Sequence, residues 1–405
     1  MRILIYSHDT YGLGNIRRMA TIAEALVEQD PASNVLIITG SPMLHAFRLS
    51  DRVDYVKLPC LNRTDVGRYD VKHLRLDIDS VKRMRAGLIA TAAIDFEPDL
   101  VLVDKKPLGV MRELEPMLDI LSRRLAPPHI SLVLRDILDA PEVTRDVWRR
   151  NGYHEQVARF YDDILVVGAR KIFDVAREYE FPSETARMIR YAGFLRRKNG
   201  KASAADIRAR LGLKDEKIVL VQAGGGADGA ALISTYVESL RKWPAGAPYF
   251  SWIISGPELA SDERRKIARM MADTPFAFHQ EFADDMNACV NAADYVVSMG
   301  GYNSVCEILS LGRPAVIVPR VRPVLEQWLR ASRFADCGMI ECLHPDTMTP
   351  ERLGAAVEAM IANGDAQLAA RRSLPLDGLP FIAAHAQRFA PPAYAATTAH
   401  FALRR

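Results

Sequence analysis

Short β-branched runs alternate with longer amphipathic stretches along most of the chain, and this alternation limits the possible folds more than any other feature. Strands buried on both faces read as continuous apolar runs, and parallel neighbours need a crossover connection that is usually a helix. The pattern therefore predicts an α/β fold in which helices cover both faces of parallel, doubly wound sheets.

The apolar runs fall into two series. The first predicts strands near residues 2–7, 35–39, 53–58, 100–103, 130–134 and 164–167. The second predicts strands near 218–222, 250–255, 275–279, 294–298 and 315–318. A glycine, a basic run and small residues separate the two series near 196–202, which is typical of a linker. We therefore predict two domains, 1–198 and 199–372, and a tail at 373–405 that either packs back across them or is partly disordered.

Composition supports two ordinary globular domains and narrows the partners. A chain of 405 residues exceeds one ordinary core, and 49% apolar with 25% charged residues is a globular balance. A net charge of +3 argues against nucleic-acid binding. Five cysteines without a CxxC pair predict reduced thiols. With no signal-peptide core and no run of ~20 apolar residues, we expect a cytoplasmic protein, and peripheral contact with the inner membrane stays open.

The first predicted strand runs into the loop SHDTYGLGNIRR. Gly12 and Gly14 let the backbone approach a ligand, and Asn15 and Arg17 follow at the start of a helix whose N–H groups suit an anion. A GxGxxG motif is absent because Arg17 takes the place of its last glycine, and no acidic residue ends the next strand. Both observations argue against dinucleotide binding.

His8 and Asp9 lie at the end of the same predicted strand. A histidine at this position is a candidate general base, with Asp9 or another carboxylate orienting it. The alternative is that His8 only satisfies hydrogen bonds within the loop.

The second series opens with VQAGGGADGAAL, in which a buried strand leads into three glycines and then a helix. Backbone N–H groups at Gly224, Gly225 and Gly226 could cradle a diphosphate. The lysine and Ser/Thr of a Walker motif are missing, which argues against ATP hydrolysis. The alternative is that the glycines only tighten a turn.

The segment DYVVSMGGYNSVCEILSLGRPAVIVPR carries the most information. Gly300 and Gly301 predict a tight turn, and Asn303 or Ser304 could cap the following helix, whose dipole favours anionic oxygens. Glu307 follows one turn later, where its carboxylate could accept both hydroxyls of a ribose. A favourable interaction with the helix dipole alone is the simpler explanation of this glutamate.

The run MGGYNSVCEILSLGRPAVIVPR, followed by LEQWLRA, resembles the donor-binding half of GT-B glycosyltransferases of family 28, the peptidoglycan N-acetylglucosaminyltransferase type. EFADDM at 281–286 and both glycine loops occur in matching order, so the resemblance covers most of the chain. The opening SHDTYGLG loop is similar to that of an uncharacterised bacterial branch of the same superfamily. The resemblance implies two Rossmann-like domains facing a cleft. It also implies sugar transfer from a nucleotide donor, expected to be UDP-linked, to a glycan, lipid-linked, protein or small-molecule acceptor.

The resemblance also implies roles for individual residues. Backbone atoms at Phe282 would read the base, Glu307 would hold the ribose, and Glu326 and Gln327 would meet the sugar hydroxyls. The full predicted donor set is Gly224, Gly225, Gly226, Phe282, Gly300, Gly301, Asn303, Ser304, Glu307, Arg320, Glu326 and Gln327.

The mechanism is predicted to be inverting. Retaining relatives carry two glutamates eight positions apart, and the first would fall at Met299. An inverting transfer needs a base on the amino-terminal domain, but Asn15 occupies the place where relatives often carry a histidine, and its amide cannot accept a proton. The predicted catalytic candidates are His8, Asp9, Asp104 and Asp136. A structural pairing of Asp104 or Asp136 with neighbouring basic residues is an equal alternative.

No metal motif is evident, and the resemblance implies that helix dipoles and side chains hold the diphosphate, so neither a metal nor another cofactor is expected. The basic loop predicted at 62–75 could bind an acidic acceptor or anionic lipid headgroups, or be only a solvated face. The alternatives to transfer are a nucleotide-sugar hydrolase, a 2-epimerase of the same fold, and a protein that binds the donor without catalysis.

Overall fold

The computed structural model describes residues 1–8, 14–44, 48–65, 68–225, 228–243, 246–272 and 274–391. Its strands are β1 (Arg2–Ser7), β2 (Asn34–Thr39), β3 (Val53–Lys57), β4 (Leu61–Asp65), β5 (Arg68–Val71), β6 (Leu100–Asp104), β7 (His129–Arg135), β8 (Asp163–Val167), β9 (Ile189–Tyr191), β10 (Ile218–Gln222), β11 (Phe250–Ile254), β12 (Ala277–Gln280), β13 (Tyr295–Ser298), β14 (Ala315–Ile317) and β15 (Glu341–Cys342).

The helices are α1 (Gly14–Gln29), α2 (Ile78–Phe96), α3 (Glu115–Ser122), α4 (Pro141–Arg150), α5 (Tyr153–Phe160), α6 (Val175–Glu178), α7 (Ser183–Arg187), α8 (Ala204–Arg210), α9 (Ala230–Ser239), α10 (Ser261–Ala272), α11 (Met286–Ala292), α12 (Tyr302–Ser310), α13 (Glu326–Asp336), α14 (Pro350–Ala370) and α15 (Gly378–Gln387). No helix of the described part is both long and apolar enough to cross a bilayer.

Two parallel sheets organise the chain. The first has the strand order β3-β2-β1-β6-β7-β8-β9 and the second β12-β11-β10-β13-β14-β15. Their central strands are apolar runs such as LVLVD and IVLVQ, buried at every position because helices cover both faces. The predicted α/β fold of two doubly wound sheets is confirmed, and every predicted strand is present within about two residues.

Three strand features escaped prediction. β9 and β15 are edge strands of three and two residues, too short to show a pattern. The prediction of a basic loop at 62–75 is wrong in part, because β4 and β5 form an antiparallel hairpin there. Four successive polar residues in β4 hid this hairpin, which pairs with neither large sheet.

The chain crosses between the sheets in the segment 192–217, and the boundary predicted near residue 198 falls within it. The start of the predicted tail returns to this crossing, where Phe194 N donates to Pro375 O at 2.9 Å and Gly378 N donates to Phe194 O at 3.1 Å. α15 then packs against α1 of the first domain. The last part of the predicted tail, 392–405, lies outside the described residues.

Candidate functional site

Contacts join the two domains near the carboxyl ends of their strands, across a cleft of the kind where ligands of open α/β sheets usually bind. His8 follows β1, Asp104 ends β6 and Asp136 follows β7 on the amino-terminal side. Gly300 follows β13 on the opposite side and leads into α12. The structure therefore places catalytic candidates from one domain opposite donor candidates from the other.

The predicted turn after β13 depends on Gly300. Its φ is +68°, and a Cβ at this position would lie 2.5 Å from Ile317 Cγ2, so both the backbone conformation and the space require glycine. α12 begins at Tyr302 with Gly301 at the N-cap, and that cap makes no side-chain hydrogen bond to the first turn. The first turn of α12 therefore resembles the helix ends that bind anions elsewhere.

The prediction that Asn303 or Ser304 caps α12 is wrong, because both lie inside the helix. Asn303 instead bridges the domains: its Nδ2 donates to Gly14 O at 3.0 Å, and its Oδ1 accepts from Arg197 Nη2 at 2.6 Å. Ser304 is partly exposed on the first turn. A second bridge runs from the buried Tyr302, whose hydroxyl donates to Val167 O at 2.9 Å.

Glu307 is almost completely buried, with 1% of its side chain exposed. Its partner is Arg17 of α1, whose Nη2 lies 2.7 Å from Glu307 Oε1. The angles of this ion pair are not those of a hydrogen bond, so the carboxylate oxygen retains unused accepting capacity. The predicted ribose ligand and the predicted acceptor-side loop are therefore in direct contact.

Glu326, the first residue of α13, also pairs across the cleft. Arg135 Nη1 lies 2.6 Å from Glu326 Oε2 and donates to Oε1 at 2.8 Å. Burial alone would raise the pKa of Glu326, but the Arg135 and Arg330 guanidinium groups more than offset burial and lower it. Glu326 is thus an anion whose charge is balanced by Arg135 of the opposite domain and by Arg330 of its own helix.

Gln327 and Arg320 lie together beside the glycine turn. Gln327 Oε1 accepts from Arg320 N at 3.1 Å, and the Arg320 guanidinium pairs with Asp228 at 2.5 Å. A Cβ on Gly301 would lie 3.9 Å from Gln327 Nε2, so the amide borders the turn. Both predicted donor residues are therefore positioned at the entrance to α12.

The glycine loop after β10 lies next to this turn in the sheet, because β10 and β13 are neighbours. Gly224 has a φ of +66°, and Gly225 O accepts from Glu258 N at 2.9 Å. Gly226 lies outside the described residues. Phe282, just beyond β12, is half-exposed, and its carbonyl accepts from Gln280 Nε2 at 2.6 Å.

The catalytic candidates differ in how fully their polar atoms are engaged. Asp136 receives two hydrogen bonds from Arg330, at 2.8 and 2.7 Å, and both side chains are buried. Asp104 pairs with the buried Arg18 and accepts from His8 N at 3.2 Å. The structural alternative considered for these two aspartates is therefore favoured, although their partners are arginines distant in sequence.

His8 is buried and differs from the two aspartates. Its Nδ1 has no hydrogen-bond partner among the described residues. Burial lowers the pKa of His8 well below 6.5, and the nearby Lys105 and Lys106 add to the shift. The ring is therefore neutral at pH 7 and retains a nitrogen lone pair. Asp9 and Gly12 lie outside the described residues.

Asn15 contacts the backbone of His8. The Asn15 amide donates to His8 O at 3.3 Å and accepts from Arg18 Nη2 at 3.2 Å. Lys105, directly after β6, has a φ of +67°, and burial with the charge of Arg135 lowers its pKa to about 7. The burial of Arg18 and Arg330 was not predicted, because an arginine within an amphipathic helix is normally expected to face solvent.

Comparison with known proteins agrees with this architecture. Residues 219–383 match the model of the glycosyltransferase family 28 C-terminal domain. Two relatives carry the name UDP-N-acetylglucosamine--N-acetylmuramyl-(pentapeptide) pyrophosphoryl-undecaprenol N-acetylglucosamine transferase. The one from Rubrobacter xylanophilus is 32% identical over 43% of this chain and 48% of its own length. The one from Glaesserella parasuis is 32% identical over 34% and 38% respectively.

The chain thus matches less than half the length of these curated relatives. The crystal structure of Acinetobacter baumannii MurG superposes over 96% of this chain and 99% of that one, with a TM-score of 0.63 and 15% identity. This likeness shows the GT-B fold. The resemblance to family 28 glycosyltransferases inferred from the sequence is confirmed for the carboxy-terminal domain.

Proposed function

We propose that this chain transfers a sugar from a UDP-sugar donor to an acceptor held by the first domain. Its second domain resembles that of family 28 glycosyltransferases. The observation that carries the proposal is the ion pair that the buried Glu307, which follows the Gly300 turn, makes with Arg17 of the amino-terminal domain. A buried carboxylate near a glycine turn and an uncapped helix start suits a ribose next to a diphosphate.

In the structure, direct contacts join the two sides of the cleft. Arg17 pairs with Glu307, Arg135 pairs with Glu326, and Tyr302 donates to Val167 O. A donor that bound Glu307 and Glu326 would exchange these contacts for its own hydroxyls. We therefore propose that donor entry accompanies opening of the domains around the crossing segment 192–217.

In the proposed reaction the acceptor hydroxyl oxygen attacks the anomeric carbon, and the bond from that carbon to the diphosphate oxygen breaks. His8 accepts the acceptor's proton in the tautomer whose lone pair is on Nδ1, since its ring is neutral and Nδ1 makes no hydrogen bond to the described residues. UDP leaves, and the first turn of α12 stabilises the negative charge of the diphosphate. No metal is assigned to this step.

The acceptor side carries an exposed surface that is both apolar and basic. Leu74, Leu76 and Met84 are between 43% and 46% exposed, and Lys72 and Arg75 lie among them. Apolar side chains within a basic surface suit a headgroup region of anionic lipid. We propose that this surface brings the chain to the inner face of the membrane and to a lipid-linked acceptor. Loss of vesicle sedimentation in Leu74→Glu/Leu76→Glu would support this, and unchanged sedimentation would oppose it.

The activity is tested by incubating the full chain with a panel of UDP-sugars, with and without a membrane extract as acceptor source. Acceptor-dependent UDP release with sugar recovered in a larger product supports transfer. Acceptor-independent release of free sugar and UDP would indicate a hydrolase. Conversion of the donor to an isomeric UDP-sugar would indicate an epimerase. Donor binding without any turnover would indicate the non-catalytic alternative.

A further inference from the structure

Three side chains able to bind a metal meet near the amino-terminal ends of two neighbouring strands of the first sheet, on the side away from the cleft. His129 begins β7, Asp163 begins β8, and His385 lies on α15. His129 Nε2 lies 3.2 Å and His385 Nε2 lies 2.9 Å from Asp163 Oδ2. One ligand atom from each of these three side chains lies within 4.8 Å of the other two.

We propose that His129, Asp163 and His385 bind a transition-metal ion of the Zn²⁺ class. Two imidazole nitrogens and one carboxylate oxygen are a common zinc ligand set, with a water in the fourth position. Ligand atoms at ~2.1 Å from a tetrahedral zinc are separated by about 3.4 Å. The observed separations of 3.2 and 2.9 Å are slightly shorter than this, and the two histidine ligand atoms lie within 4.8 Å of each other, so small side-chain movements would complete the geometry.

Hydrogen bonding within the cluster is incomplete. His385 Nε2 is buried and, although close to Asp163 Oδ2, is not aligned to hydrogen bond with it. Asp163 Oδ1 is also buried without a hydrogen-bond partner in the described part of the chain. Leaving buried polar atoms unpaired is costly, and a cation between them would use these lone pairs.

The surroundings also fit a metal ion. His129 Nδ1 lies 3.5 Å from Asp162 Oδ2, the arrangement by which a carboxylate orients a metal-bound histidine. Phe389 stacks on the His129 ring at 3.6 Å and shields it. Arg190 Nε lies 3.6 Å from Asp163 Oδ2, but its side chain is 51% exposed and can move into solvent when a cation binds.

The three ligands come from distant parts of the chain, which is why no metal motif is visible in the sequence. α15 follows the second domain but packs on α1 of the first. The ion would therefore fasten the end of the chain to the first sheet, away from the cleft. Its expected effect is on stability, and the transfer step stays independent of it.

The test uses the full chain stripped with EDTA and titrated with Zn²⁺ by calorimetry, with Co²⁺ absorption reporting the ligand geometry. We expect one ion per chain, a tetrahedral Co²⁺ spectrum and a higher Tm with Zn²⁺ bound. His385→Gln and Asp163→Asn should each weaken binding at least ~10-fold. His73→Gln, which changes an exposed histidine, is the matched control and should bind as the wild type does.

The absence of stoichiometric binding by the wild-type chain would overturn the proposal, whether or not the variants fold. Equal affinity of wild type and His385→Gln would also overturn it, because the ion would then lie elsewhere. In either case the cluster would be an electrostatic contact between His385 of α15 and Asp163 of the sheet.

Discussion

Arg17 Nη2 lies 2.7 Å from Glu307 Oε1, and this ion pair joins the loop after the first strand to the helix that follows the glycine turn of the second domain. Glu307 is buried, whereas the Arg17 side chain is 31% exposed and borders a cavity of about 180 Å³ with Arg48 and Arg197. Glu307, the carboxylate proposed to bind the ribose, is thus already paired with Arg17 of the same protein.

Arg17→Ala should increase affinity for UDP several-fold. The donor would no longer compete with Arg17 for the Glu307 carboxylate, and an unpaired buried carboxylate favours an open cleft. Calorimetry with UDP measures the change. Arg48→Ala, at a neighbouring arginine of the same cavity, is the control and should leave the Kd unchanged. Weaker binding by Arg17→Ala would show instead that Arg17 contacts the donor directly.

His8→Gln should lower kcat by ~10² to 10⁴ with little change in the donor KM, as expected for loss of a general base. The folded pKa of His8 lies below 6.5, so the neutral, proton-accepting form persists as the pH falls to that value. Activity should therefore be level from pH 8 to about 6.5 and decline only in more acid solution. An acid limb centred above pH 7 would assign the base to another group.

Asp136→Asn should reduce the free energy of unfolding by ~3 to 5 kcal/mol, because the buried Arg330 would lose its hydrogen-bonded counter-charge and keep only Glu326 at 4.0 Å. Urea denaturation measures this loss, and Arg330→Met in the same chain should recover part of it. Asp262→Asn, at an exposed aspartate on α10, is the control. A variant that loses transfer while keeping wild-type stability would return Asp136 to the list of catalytic residues.

Lys105 should make stability depend on pH. Its pKa is about 7 in the folded chain, whereas an ordinary lysine has a pKa of 10.5, so between these values the unfolded chain binds more protons. Stability should therefore rise with pH from 7 to 9 more steeply in the wild type than in Lys105→Met. Lys214→Met, at an exposed lysine, should keep the wild-type slope. Identical slopes in wild type and Lys105→Met would show that Lys105 stays charged.

The sequence was sufficient for the fold because buried parallel strands carry their own signal. LVLVD and IVLVQ are apolar at nearly every position, and their bounds were predicted almost to the residue. The Gly300 turn was also predictable, since a glycine pair at a strand end suggests a backbone that other residues cannot adopt. Edge strands such as β15 have too few residues to carry a pattern.

The pairing of side chains across the cleft could not be predicted. Arg330 and Asp136 are 194 positions apart, and nothing local to either residue indicates the other. The capping role assigned to Asn303 failed for the same reason, because contacts with Gly14 and Arg197 from elsewhere in the chain determine its position. Local propensity predicts caps only where tertiary contacts do not compete.

The most direct test of the account is UDP binding by Glu307→Ala, measured by calorimetry against the wild type. Losing hydrogen bonds from the ribose to a charged group costs ~1.5 to 3 kcal/mol, so the Kd should rise more than ~10-fold. Glu263→Ala, at an acidic residue on the first turn of α10, is the control and should bind UDP normally. A Kd for Glu307→Ala equal to that of the wild type would contradict the proposed donor site.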